Sequence, residues 1–131
     1  MSRLTHYLDR LIDTIFSRRE IEIEEFFVLD RSTASGQTSE FYARLRFWDG
    51  SLLQVEEALV TRRLGIFKIR YSYHYQRADG GLVFRYDNAP HHPELPGFPH
   101  HVHIEDRVEP ADPPDLHDVL REIDGYLYGS A

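Results

Sequence analysis

The chain has 131 residues, 41% hydrophobic and 28% charged, with a formal net charge of −7 and no cysteine. This length suits one domain with one core, the missing cysteine excludes disulfides and thiolate metal sites, and the net acidity counts against bulk binding of nucleic acid, which depends on neutralising phosphates. No apolar run approaches the ~20 residues of a membrane helix, and residues 1–10 lack the apolar core of a secretory signal, so the expected compartment is the cytoplasm.

Leu4, Leu8, Leu11, Ile12, Ile15 and Phe16 recur at helical spacing and predict an amphipathic helix over residues 2–18. Ile21, Ile23, Phe26 and Val28 then alternate, with a slip at Glu24–Glu25 that predicts a strand carrying a bulge. Residues 31–38 are polar, contain Gly36 and read as a loop. Phe41, Ala43, Leu45 and Phe47 form the apolar side of a strand whose outward side is Tyr42, Arg44, Arg46 and Trp48. Asp49–Gly50 signals a hairpin, and Leu53, Val55 and Leu59 continue on the returning strand.

A long strand follows from Ile66 to Gln76. Strict alternation puts Phe67, Ile69, Tyr71, Tyr73 and Tyr75 on one side, expected to be core, and Lys68, Arg70, Ser72, His74 and Gln76 on the other. Asp79–Gly80–Gly81 closes another hairpin onto Leu82, Phe84 and Tyr86, and a proline-rich loop leads to a short strand from His101 to Glu105. Asp112–Pro113 reads as a helix start; Leu116, Val119, Leu120, Ile123 and Leu127 supply its stripe, and Gly129 its stop. The expectation is an α+β domain: a helix, five or six mostly antiparallel strands and a second helix, with both helices on one face of the sheet and the other face open.

Five of the eight histidines, His91, His92, His100, His101 and His103, fall within thirteen residues, among Pro90, Pro93, Pro96 and Pro99. Proline fixes φ and stiffens a loop, which suits imidazoles that must be held in place. His101 and His103, two apart on a strand, share a face. Imidazole titrates near pH ~6.5 and can serve as general acid or base. Two imidazoles and a carboxylate can also hold a divalent ion, here His101, His103 and Glu105 with His91 or His92. Against both stands ordinary packing of a surface loop.

Charge is segregated as well. Residues 41–85 carry 8 basic and 4 acidic side chains, whereas residues 86–131 carry 2 and 10. Arg44, Arg46, Lys68 and Arg70, with Arg85, are the cations expected on the open sheet face, interleaved with aromatic rings as a phosphodiester chain would require. An ordinary solvated sheet face has the same composition. His6 and His117 read as surface residues.

The segments Arg70–Gln76 (RYSYHYQ), Arg85–Glu94 (RYDNAPHHPE) and Phe98–His103 (FPHHVH) resemble the TumE family, described as toxins of type II toxin–antitoxin modules. The resemblance covers about residues 66–124. It implies a toxin whose partner is an antitoxin with a helix-turn-helix region.

The leading expectation from residues and resemblance together is a candidate endoribonuclease that cleaves RNA without a cofactor. His101 and His103 are its acid and base, with His74 or His92 in reserve. Arg44, Arg46, Lys68, Arg70 and Arg85 hold phosphate. Imidazoles on the open face should not support the core, so replacing His101 and His103 together should leave the fold intact. The alternatives are a non-enzymatic partner-binding domain and the His-ligated metal site.

Overall fold

The computed structural model describes residues 3–33, 36–63 and 65–129. Helix α1 (Arg3–Phe16) is followed by strands β1 (Ile21–Thr33), β2 (Gly36–Phe47), β3 (Leu52–Arg62), β4 (Gly65–Gln76), β5 (Leu82–Asp87), β6 (His101–Ile104) and β7 (Arg107–Pro110), and by helix α2 (Leu116–Tyr128). The strands pair antiparallel in chain order in one seven-stranded sheet. Among the described residues the fold is α+β with seven strands rather than five or six. The extra strand, β7, is a four-residue return after the turn at Glu105–Asp106, too short and too charged for an alternating apolar pattern. Residues 31–33 and 36–38, expected as loop, continue the β1–β2 ladder through backbone pairing that polar side chains do not announce. Residues 34 and 35 of that predicted loop lie outside the described residues.

One hydrophobic cluster takes Leu11 and Ile15 from α1, and Leu116, Val119, Leu120, Ile123 and Leu127 from α2. It joins them to Phe41, Ala43, Leu45, Leu53, Val55, Tyr71, Tyr73, Tyr75, Phe84 and Val102 of the sheet. Helix α2 begins three residues later than expected. Asp115 is its N-cap, accepting from the Asp118 amide while the Asp118 carboxylate accepts from the Asp115 amide. Pro113 and Pro114 disfavour helical backbone in the residue before each of them, which moves the cap past them. Gly129 ends the helix at φ 79°, and Gly50 turns the β2–β3 hairpin at φ 86°, where a side chain would be strained.

Of the three register shifts among the described strands, one lies at the end of the β4–β5 pair, between Tyr75 and Gln76, and the other two bear on the expected faces. The expected bulge is present at Glu24, between Ile23 and Glu25. A second lies between Ala58 and Leu59: Arg70 pairs with Ala58 and Lys68 with Leu59, so Ile69 is the extra residue on β4. Every side chain before Ile69 changes face. Phe67 and Ile69, expected to be buried, are therefore 43% and 49% exposed, while Tyr71, Tyr73 and Tyr75 are buried as expected.

Lys68 turns the other way, inward. Its Nζ donates to the Tyr73 hydroxyl (2.6 Å) and the Pro114 carbonyl (3.0 Å), and it lies over the Tyr71 and Tyr73 rings. Tyr73 and Tyr7 in turn donate to the buried Glu57 carboxylate, each at 2.6 Å. Burial holds the Lys68 ammonium below the ordinary lysine range, opposed by Glu57. Lys68 is thus part of a buried network and leaves the set of phosphate-facing cations. Among the described residues no helix is long and apolar enough to cross a membrane.

Candidate functional site

The strand registers line up Arg44, Gln54, His74, Arg85 and His103 across β2 to β6. A neighbouring row runs through Glu56, Ser72, Asp87 and His101. These rows share the sheet face opposite Leu45, Val55, Tyr73 and Tyr86, because side chains alternate along each strand. Four strand spacings at ~4.8 Å put Arg44 roughly 19 Å from His103, so the expected strand residues other than Lys68 share a face but spread along it.

At the far end Glu24 accepts from Arg44 Nε (2.9 Å) and Arg46 Nε (3.0 Å). The Arg46 and Arg44 hydrogen bonds hold its carboxyl below the usual carboxylate range. Arg46 also donates to the Gly50 carbonyl, and Arg70 pairs with Glu40 at 3.4 Å. Each of these expected phosphate ligands has an acidic partner that composition could not assign.

The imidazoles gather at the other end, where the loop of residues 88–100 returns the chain beside β5. Asn88 anchors the start of that loop to β4: its side-chain oxygen accepts from the Tyr71 amide and its nitrogen donates to the Ile69 carbonyl, both at 3.0 Å. One ring nitrogen each from His92, His101 and His103 lies within 4.8 Å of the others. The ring centroids are 4.9–5.8 Å apart, and the Nε2 atoms of His101 and His103 are 3.1 Å apart. His101 is 2% exposed. Its Nδ1 donates to the Pro99 carbonyl at 2.8 Å, since a carbonyl can only accept. Its Nε2 is 2.9 Å from Asp87 Oδ1. His103 and His92 are more open, with side-chain exposures of 20% and 31%.

Asp87 is the residue that sequence reading passed over. It is nearly buried, accepts from Arg85 Nε (2.9 Å) and the Ala89 amide (3.0 Å), and faces His101 across the β5–β6 pair. Its signal was available: it is two residues from Arg85 on one strand face, at the start of the histidine-rich loop. Burial first, then Arg85, hold the His103 imidazole below the ordinary histidine range, opposed by Asp87. His74, two strands away in the Arg85 row, is lowered by the same two causes.

The remaining histidines of the segment go elsewhere. His100 stacks on Tyr71 and shares a 2.9 Å hydrogen bond with its hydroxyl, and His91 is exposed. Glu105, expected as a metal ligand beside His101 and His103, sits in the β6–β7 turn with φ 55° and stays out of the cluster; Asp87 supplies the carboxylate instead.

Three imidazoles gathered together, two of them beside one carboxylate, can share a proton or hold a metal ion. Such a set can transfer protons to a bound phosphodiester or bind a divalent ion. No curated protein and no solved structure matches the chain significantly. The family model described as Toxin TumE matches residues 8–127, most of the chain and more than the segments that carried the resemblance. The chain therefore belongs to the TumE toxin family.

Proposed function

We propose that this protein is a cytoplasmic toxin that cleaves RNA at the His92–His101–His103–Asp87 cluster, and that an antitoxin with a helix-turn-helix region restrains it. The observation that carries this reading is the gathering of three imidazoles, two of them beside a carboxylate that also holds an arginine. Cleavage at a 2′-hydroxyl needs a base for the hydroxyl proton, an acid for the leaving 5′-oxygen and a cation for the crowded phosphate.

In a metal-independent scheme His103 and His92 are the acid–base pair, because their rings reach solvent. His101, buried and bonded at both nitrogens, positions Asp87 and His103. Arg85, 39% exposed at its side chain, is the nearest phosphate-facing cation. The sheet face on which these groups lie is the one left open if both helices cover the other. The partner half of the reading draws on the exposed Phe27 and Leu29 of β1, with Tyr42 stacked on Phe27 at 5.1 Å, far from the imidazoles.

The test is expression without antitoxin, following growth and the integrity of cellular RNA. Wild type should arrest growth and fragment RNA; His103→Ala and Arg85→Ala, with melting curves close to wild type, should do neither. A folded His103→Ala protein that still arrests growth and fragments RNA refutes the assignment, and intact RNA in arrested wild-type cells refutes the ribonuclease.

A further inference from the structure

We infer that His92, His101 and His103, with Asp87 at the margin, form a binding site for a divalent ion of the zinc class. The inference shares its site with the proposed ribonuclease but rests on geometry alone.

The nitrogen spacing comes first. Two ligands at ~2.0–2.1 Å from a tetrahedral ion are about 3.3 Å apart, and the Nε2 atoms of His101 and His103 are 3.1 Å apart with nothing rearranged. Two neutral imidazoles at that distance can share only one proton. Asp87 Oδ1, 2.9 Å from the same His101 nitrogen, adds negative charge at the edge of the three nitrogens, which lie within 4.8 Å of one another.

The tautomer is set from outside. His101 Nδ1 is held by the Pro99 carbonyl, which directs the other nitrogen inward. Metal-binding histidines are commonly oriented by a carbonyl or carboxylate at their second nitrogen in this way. Asp87 is itself held by Arg85 and the Ala89 amide.

The frame is rigid. His101 and His103 project from one side of β6, and Asp87 is directly opposite His101 on β5. His92 comes from the loop between Pro90 and Pro93. The gradient of exposure matters too: His101 is buried, while His103 and His92 face solvent. Three protein ligands with one open side is the pattern of a site that keeps a position for water or substrate. Imidazole nitrogens favour zinc and its neighbours, whereas magnesium and calcium prefer sets made of oxygen.

An ion held here engages the nitrogens that would otherwise carry protons, so the loaded protein would act through the ion and its bound water. The experiment uses the full chain, purified without a His-tag or chelator. Metal content is measured by elemental analysis, and chelator-stripped protein is titrated with zinc sulfate by calorimetry. Wild type should bind one zinc per chain, and excess magnesium should not displace it. His92→Ala and His103→Ala, each with a melting curve showing a folded protein, should weaken zinc binding by about tenfold or more, at least ~1.4 kcal/mol. Folded wild type that binds no zinc overturns the inference, as does zinc binding unchanged in both variants. The readout is metal content, so a failure of RNA cleavage leaves the site standing, and an absence of zinc leaves the ribonuclease to the growth assay.

Discussion

His101→Ala should destabilise the protein far more than His103→Ala, although the two histidines share one short strand face. His101 is 2% exposed; its Nδ1 donates to the Pro99 carbonyl, and its Nε2 lies 3.1 Å from His103 Nε2 and 2.9 Å from Asp87 Oδ1. Losing a hydrogen bond costs about 0.5–1.5 kcal/mol, and a buried carbonyl left without a donor about 1–3 kcal/mol. The void left by the ring adds to this. Asp87 keeps Arg85 and the Ala89 amide, so it is not orphaned and the total is capped. The expected loss is about 3–5 kcal/mol, a large share of the roughly 5–15 kcal/mol that holds a domain together. His103 is partly exposed and 3.7 Å from Asp87 Oδ2, too long for a hydrogen bond, so the ring contact at 3.1 Å with His101 Nε2 is the bond its removal takes away. Its removal should cost about 1 kcal/mol or less. Urea denaturation with chelator present, followed by circular dichroism, separates them. At a slope near ~2 kcal/mol per molar, the midpoint should fall by roughly 2 M for His101→Ala and by about 0.5 M or less for His103→Ala. Equal midpoints for the two variants would refute the reasoning. The result also bears on how toxicity is tested: a double replacement of His101 and His103, which alternation alone expects to be harmless to the fold, confounds unfolding with lost chemistry.

Glu24→Gln should release Arg44 and Arg46 from their shared carboxylate. If RNA runs along the sheet face, each phosphate newly engaged steepens the salt dependence of binding by about 0.7 in log–log slope for a single strand. Fluorescence anisotropy of a labelled single-stranded RNA at increasing KCl reads this directly, and an unchanged slope would show that RNA does not reach β2. His74 gives a pH signature. Burial and Arg85 keep its imidazole below the ordinary range when folded, so the unfolded chain takes up the proton first. Stability attributable to neutral His74 is then lost as pH falls through about 6.5 and levels off below the folded value. Wild type should lose stability relative to His74→Gln over that window; parallel stability curves at pH 5 to 8 (a range of about three units around the histidine value) would show that His74 is not the group involved.

Much of the architecture was legible in the order of residues. Leu4, Leu11 and Ile15, and Leu116 to Leu127, carry a period that only a helix satisfies. Alternation marked β2 and most of β4, and Asp49–Gly50 and Asp79–Gly80–Gly81 marked two hairpins, because side-chain direction and φ are local properties. The histidine segment was legible as a site because five imidazoles in one stiffened loop and strand are chemically conspicuous. Tertiary pairing decided the rest. One extra residue at Ile69 exchanged the faces of Phe67 and Lys68; the alternation there is unbroken, unlike the slip at Glu24, so the bulge emerges only from pairing with β3. The partner of Arg44 and Arg46 lies on the neighbouring strand and that of Arg70 two strands away, across β3, so their neutralisation depends on register. Asp87 acquires its place in the site from the return of β6 beside β5, which puts it opposite His101. A sequence records which way a side chain points along its own strand; what it meets across the ladder is set only when the strands pair.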